Sequence, residues 1–245
     1  MKQGLFRIIE NKHLTDTVMQ MRLTGDTSAI TASGQFVNIL LSGKFLRRPI
    51  SVCDCEGDVL TLLYKIVGGG TEQMAGMKEG ETLDILTGLG NGYDLSMAGD
   101  RPLLIGGGVG VPPMYMLAKQ LIASGKKVTV ILGFNTAREV FYKDEFEALG
   151  AKVYVTTVDG SMGIKGFVTD AMKEIDYTYF YTCGPEPMLK AVYRASETEG
   201  QFSFEERMGC GFGACMGCSC KTITGYKRIC KEGPVMKKEE ILWQN

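Results

Sequence analysis

Cys210, Cys215, Cys218 and Cys230 stand in the spacing C-x4-C-x2-C with a fourth cysteine farther along. That is the plant-type ligand pattern of a [2Fe-2S] cluster. The intervals Gly211-Phe212-Gly213-Ala214 and Met216-Gly217 are small and glycine-rich. Glycine lets backbone wrap closely around a compact inorganic core, because it has no Cβ and tolerates positive φ. Such a cluster moves electrons one at a time. A four-thiolate zinc site is one alternative, but structural zinc favours two matched ligand pairs. A disulfide framework is another, and it suits small secreted chains. The three-plus-one arrangement disfavours zinc, and a chain of this length without a secretion signal disfavours the disulfide framework. Cys220 lies in the same segment but outside the ligand spacing. It reads as a bystander thiol, with an alternative ligand as the other reading.

Two further loops have the composition of phosphate or nucleotide contacts. Gly106-Gly107-Gly108-Val109-Gly110 falls between an apolar strand and a helix, where backbone N–H groups can hold a phosphate. Read from Gly106 as G-x-G-x-x-G, its last position is Val111, so it departs from the strict dinucleotide fingerprint. Glycine runs also serve as plain turns. No acid occupies Gly133-Phe134-Asn135, where the next strand ends, and the usual carboxylate cue for NAD over NADP is missing there. Cys183-Gly184-Pro185-Glu186-Pro187-Met188 also follows a strand and precedes a helix. Open α/β sheets bind ligands at such carboxyl-end loops; the plainer reading is a rigid turn with a buried thiol.

A third candidate lies earlier. Arg47-Arg48-Pro49-Ile50-Ser51 follows a glycine-containing loop. A guanidinium and a hydroxyl this close can share a pyrophosphate, and residues 68–71 (Gly68-Gly69-Gly70-Thr71) can add backbone donors. Two adjacent arginines on a solvated surface is the competing reading.

The elements that position these residues fall into three regions. Residues 1–97 read as β-rich, with strands over 4–10, 17–23, 36–41 and 59–67, which suggests an antiparallel barrel or sandwich. Residues 98–200 alternate strands and helices and imply a parallel sheet with flanking helices. The strands are expected at 103–105, 128–132, 153–157 and 179–181. The helices start near Pro112-Pro113 and span 143–149, 169–173 and 187–198. Residues 201–245 form a small cysteine module.

The chain has 245 residues, of which 22% are charged, and a formal net charge of −1. No global basic field points to nucleic acid or anionic lipid. The N-terminus lacks the apolar core of a signal peptide, and no stretch reaches the roughly 18 apolar residues of a membrane span. A cytoplasmic protein is expected. His13 is the only histidine and sits in a polar stretch, where surface residence is expected. Imidazole metal sites and Ser-His-Asp catalysis are therefore disfavoured. Hydride and electron transfer are not, because cofactors carry their reactive atoms.

The order of these motifs resembles the ferredoxin–NADP reductase superfamily. Within it, the cysteine module, Arg-Pro-Ile-Ser, Gly70-Thr71 and Glu206-Arg207-Met208-Gly209-Cys210-Gly211 resemble the electron-transfer subunits of class 1B dihydroorotate dehydrogenases over essentially the whole chain. The resemblance implies a flavin-binding barrel, a nucleotide-binding sheet and a C-terminal cluster module. It implies FAD held by Arg48, Pro49, Ile50, Ser51, Lys65, Ile66, Val67, Gly70 and Thr71. It implies NAD(H) docked at Gly106, Gly107, Gly108 and Gly110, with Cys183 and Gly184 near the nicotinamide, and the four cysteines on the cluster. The implied partner is an FMN-containing subunit that oxidises dihydroorotate to orotate in pyrimidine biosynthesis, in an assembly of two plus two subunits. An apolar surface around Phe212 and Met216 is expected to face that partner. The nearest rival keeps these cofactors but serves a hydrogenase, a glutamate-synthase-like enzyme or an electron-bifurcating complex. A colourless metal-stabilised binding module is a rival of another class. A stand-alone flavin reductase would give the cysteine module no purpose.

Overall fold

In the computed structural model, which describes residues 1–243, the first strand, β1 (Lys2–His13), closes a ring. It pairs with β2 (Val18–Thr24) on one side and, through the last barrel strand, on the other. With β3 (Phe36–Leu40), β4 (Arg48–Glu56), β5 (Val59–Lys65) and β6 (Thr82–Leu89) the order is β1-β2-β5-β4-β3-β6, closed and antiparallel. Alternation explains the interior: Met19, Met21 and Leu23 of β2 point inward with Phe6 and Ile8 of β1. Closure leaves no free edge.

Three barrel elements differ from the sequence expectation. The Arg-Pro-Ile-Ser segment opens strand β4, which carries a bulge between Val52 and Asp54. Residues 82–89, with Leu83 and Ile85 buried, form β6. The glycine run starts helix α1 (Gly69–Gly76). Glycine lowers helix propensity by about 1 kcal/mol per residue; here the buried Thr71 and Met74 anchor the helix on the barrel.

The second half builds a seven-stranded sheet. Its strands are β7 (Pro102–Gly107), β8 (Thr129–Phe134), β9 (Lys152–Thr157), β10 (Ile164–Lys165), β11 (Tyr179–Cys183) and β12 (Gly200–Ser203), all parallel. Beyond them, β13 (Ser219–Thr222) and β14 (Gly225–Arg228) form a hairpin, and β15 (Val235–Lys237) returns to pair antiparallel with β12. The order is β10-β9-β8-β7-β11-β12-β15, so the cysteine segment shares this sheet. Helices α2 (Pro112–Ala123) and α3 (Lys143–Ala148) cover one face. Helices α4 (Val168–Met172) and α5 (Glu186–Ala195) cover the other. Prolines occupy the first turns of α2 and α5, where a missing N–H costs nothing.

Barrel and sheet meet along α2 and β4. Lys119 Nζ lies 2.8 Å from Asp54 Oδ2, and the Tyr142 hydroxyl donates to Gln20 Oε1 at 3.0 Å. Among the described residues no helix is long and apolar enough to cross a membrane.

Candidate electron-transfer site

The four cysteines meet in two pairs. Backbone N–H groups of Ala214 and Cys215 point at Cys210 Sγ (3.2 and 3.4 Å), and those of Cys210 and Gly217 point at Cys215 Sγ (both 3.5 Å). The Cys230 N–H points at Cys218 Sγ at 3.4 Å. Cys210 thus sits with Cys215, and Cys218 with Cys230. Among the described residues no three His, Cys, Asp or Glu side chains converge as they would on a single metal ion. Two thiol pairs in one loop system instead fit a two-iron group, with one pair for each iron. Burial raises the Cys210 thiol, but N–H groups of Phe212, Cys215 and Ala214 outweigh it and hold it at about 6. Burial and the adjacent Cys218 sulfur raise the Cys230 thiol, so metal binding there would have to displace its proton.

The cluster loop is held from two sides. Arg228 Nη1 donates to the Gly213 carbonyl at 2.6 Å, and Glu232 pairs with the same guanidinium. From the barrel, Asn38 Nδ2 donates to the Cys210 carbonyl at 3.1 Å. Phe212 and Met216 are exposed on the outer side of the loop. Cys220 stands apart on β13, lining a cavity with Phe204, Leu189, Met236 and Trp243.

The paired arginines do different work. Arg47 is turned inward: its Nη2 lies 2.8 Å from Asp84 Oδ1, and its Nη1 donates to the carbonyls of Asn38 and Asp84 at 3.2 Å. The carboxylate contact is close but poorly aligned, since Asp84 Oδ1 makes no hydrogen bond of proper geometry. Arg48 meets no carboxylate among the described residues. Its guanidinium lies over the first turn of α1, where a Cβ on Gly70 would fall 2.3 Å from Arg48 Nε. Lys44 Nζ reaches the same turn, 3.3 Å from where a Cβ of Gly69 would stand. Two cations at a helix N-terminus with glycine-bared N–H groups fit a pyrophosphate.

The Thr71 hydroxyl organises the turn. It accepts from the N–H groups of Val67 and Gly68 at 2.9 and 3.3 Å and donates to the Gly68 carbonyl at 3.0 Å. Lys65, Ile66 and Val67 lead from β5 into that turn, with Val67 exposed. Pro49 and Ile50 continue β4 from Arg48. Ser51 stands opposite Phe36 in the ladder, and among the described residues no hydrogen bond joins its side chain to Arg48 or the turn.

The two sheet loops also come together. Cys183 is registered beside Gly106, and a Cβ on Gly110 would fall 2.2 Å from the Cys183 carbonyl oxygen. Gly107 and Gly184 both pack against Met188. Side chains are thereby excluded from a cleft at the carboxyl ends of β7 and β11, which suits a flat dinucleotide. Burial pushes the Cys183 thiol up to about 12, against a hydrogen bond from Ser203 that lowers it. Cys183 is thus a neutral thiol at neutral pH and no nucleophile.

Two residues escaped the sequence reading. Asn38 looks like an ordinary strand polar residue. Glu139 lies five residues past the end of β8, yet its carboxylate folds back to accept from Asn135 N (3.1 Å) and Nδ2 (3.0 Å). A carboxylate therefore does stand at the end of the second strand, brought there by the turn at Ala137–Glu139. The exposed His13 and the unaligned thiol of Cys220 take no part.

Residues 205–242 match the family model described as the iron-sulfur cluster binding domain of dihydroorotate dehydrogenase B. Residues 104–194 match the oxidoreductase NAD-binding domain. A protein of Geobacillus sp. (strain WCH70), named dihydroorotate dehydrogenase B (NAD(+)), electron transfer subunit, is 44% identical over 99% of each chain. One of the same name from Fusobacterium nucleatum subsp. nucleatum is 43% identical over 95% of each. Among solved structures, one from a study of flavin-based electron bifurcation in the NADH-dependent reduced ferredoxin–NADP oxidoreductase superposes with a TM-score of 0.88. It is 31% identical and covers 98% of this chain and 90% of its own.

Proposed function

The chain belongs to the dihydroorotate dehydrogenase B (NAD(+)) electron transfer subunits, and from that membership we propose how its parts share the work. It is an NAD(H)-dependent oxidoreductase subunit of pyrimidine biosynthesis that uses FAD and a [2Fe-2S] cluster, and it serves a catalytic partner. Bound FAD exchanges hydride with NAD(H) and single electrons with the cluster, which is why a flavin belongs between the two.

In our reading residues 1–97 hold FAD, residues 98–200 hold NAD(H) and residues 201–245 hold the cluster. Arg48 and the N–H groups of the Gly70–Thr71 turn neutralise the pyrophosphate. Pro49, Ile50 and Ser51, with Lys65, Ile66 and Val67, border the flavin. Gly106, Gly107, Gly108 and Gly110 admit the dinucleotide, and Cys183 and Gly184 orient the nicotinamide. Cys210 and Cys215 hold one iron, and Cys218 and Cys230 the other. Glu139 sits where it would accept from a ribose 2′-hydroxyl and repel a 2′-phosphate, which favours NADH.

The partner in this reading is an FMN-containing subunit that oxidises dihydroorotate, in a complex of two plus two chains in the cytoplasm. Exposed Phe212 and Met216 on the cluster loop support an exit for electrons at a protein–protein contact. The observation that carries the proposal is the meeting of the loop that bears the two thiol pairs with the barrel at Asn38 of β3, opposite Pro49 of β4. Oxygen-free copurification with the FMN subunit should yield dihydroorotate-dependent reduction of NAD(+). Full dihydroorotate turnover by this chain alone would overturn the division of labour.

A further inference from the structure

Asn38 is 1% exposed. Its Nδ2 reaches the carbonyl of a cysteine 172 positions away, Cys210, at 3.1 Å. Gly211 follows with φ of +77°, so close that a Cβ there would lie 2.3 Å from that Nδ2. On its own strand Asn38 stands directly opposite Pro49 of β4. Its backbone carbonyl is fixed by Arg47 at 3.2 Å. One side chain therefore joins β3, the ladder neighbour of the strand read as bordering the flavin, to the loop read as binding iron.

Stability alone does not account for this choice. Asn38 Oδ1 is buried and has no hydrogen-bond partner among the described residues. An unpaired buried acceptor is a cost that an apolar side chain of similar volume would not carry. The retained amide does something that leucine could not. It donates to the peptide of a cluster ligand, and hydrogen bonds just outside the ligand shell orient ligands and tune cluster potential.

We propose that Asn38 is a positioning residue for electron passage between flavin and cluster. Its amide fixes the Cys210 peptide against β3, beside β4, and by drawing electron density from that peptide it favours the reduced cluster. The step it serves moves one electron from reduced flavin to one ferric ion of the oxidised cluster. This inference rests on the cofactor assignment above.

The test uses the full chain carrying FAD and cluster, with Asn38→Leu, which removes the donor and the orphan acceptor, and Asn38→Asp, which keeps the shape. Anaerobic stopped-flow with NADH separates flavin bleaching from cluster bleaching, and an equilibrium redox titration reads the flavin–cluster balance. Flavin reduction should stay within twofold of wild type in both variants. Cluster reduction should slow tenfold or more, and the equilibrium should shift toward reduced flavin by threefold or more. Asn38→Asp should regain part of both losses as pH falls, because a protonated carboxyl donates again; Asn38→Leu and wild type should not. Unchanged cluster kinetics and balance would overturn the proposal. So would slowed flavin reduction, or loss of iron from both variants, which would make Asn38 a folding contact only. A wild-type chain without flavin or cluster absorption would instead overturn the cofactor assignment.

Discussion

Gly110 rests directly on the main chain of Cys183: a methyl group at Gly110 would lie 2.2 Å from the Cys183 carbonyl oxygen and 2.6 Å from the Gly184 nitrogen. Neither atom can swing aside, because both are backbone. The cleft between the two loops is thus set by the absence of one carbon. Gly110→Ala should force them apart at an overpacking cost of about 1–3 kcal/mol and slow flavin reduction by NADH about tenfold or more. At Gly107 the obstacle is the Met188 sulfur at 2.4 Å, the end of a flexible side chain. Gly107→Ala should be the milder change in both thermal melts and stopped-flow traces.

The neighbouring arginines should separate binding from stability. Arg48→Ala removes a cation from the α1 turn and should weaken FAD binding about a hundredfold, roughly 2.7 kcal/mol, with little change in the melting of the flavin-free chain. Arg48→Lys should recover only part, since an ammonium lacks the two-pronged geometry. Arg47→Ala takes the cation from beside Asp84, which keeps only Gln3 Nε2 among the described residues, and a donor from two carbonyls, and should lower stability by about 2–3 kcal/mol. FAD titrations beside thermal melts decide the matter; equal FAD loss in both variants would contradict it.

Iron analysis tests the thiol pairing. Serine at Cys210, Cys215, Cys218 or Cys230 should abolish or sharply reduce the bound iron and acid-labile sulfide. Cys220→Ser should keep two irons per chain, because Cys220 lies against Phe204 and Trp243 rather than with the pairs. A fall to the level of the other variants would move Cys220 into the ligand set.

Glu139→Gln should raise the NADPH-to-NADH ratio of kcat/KM about fivefold to tenfold, roughly 1–1.4 kcal/mol. The substitution removes a negative charge from the place where a 2′-phosphate would arrive. Steady-state flavin reduction with both nucleotides reads the ratio, and an unchanged one would remove Glu139 from nucleotide selection.

Acid should loosen the clamp behind the cluster loop. The Arg228 guanidinium holds the Glu232 carboxyl down at about 2, below its ordinary 4.5. A depressed carboxyl contributes stability above its unfolded value and loses that contribution as pH falls toward its folded one. The stability advantage of wild type over Glu232→Gln should therefore be whole above about pH 4.5 and shrink progressively toward about pH 2. Urea melts across that window give the comparison. The half-exposed setting of Glu232 keeps the effect modest.

What was legible in the chain was local. Ligand spacing, glycine runs between strand and helix, and the Arg-Pro-Ile-Ser motif all lie within short windows. The strand β4 was hidden because its inward residues begin only at Val52, after a half-buried start, and because a bulge breaks its alternation. Helix α1 was hidden because glycines open it, against propensity. Asn38 and Glu139 had no sequence signal of their own. Asn38 matters only because a loop 172 residues on arrives beside it, and Glu139 only because its turn folds back.

The return of β15 to β12 has a practical consequence. Gln201 faces Lys237 and Ser203 faces Val235, while the Asn91 side chain grips the backbone of Glu232 and Val235 from the segment joining barrel to sheet. A protein cut after the flavin and nucleotide regions, in the hope of a simpler reductase, would bare the rim of β12 and leave Asn91 without its anchors. Bared rims recruit other chains. The metal-bearing tail is thus the hem of the fabric, and trimming it should give aggregates rather than a smaller enzyme.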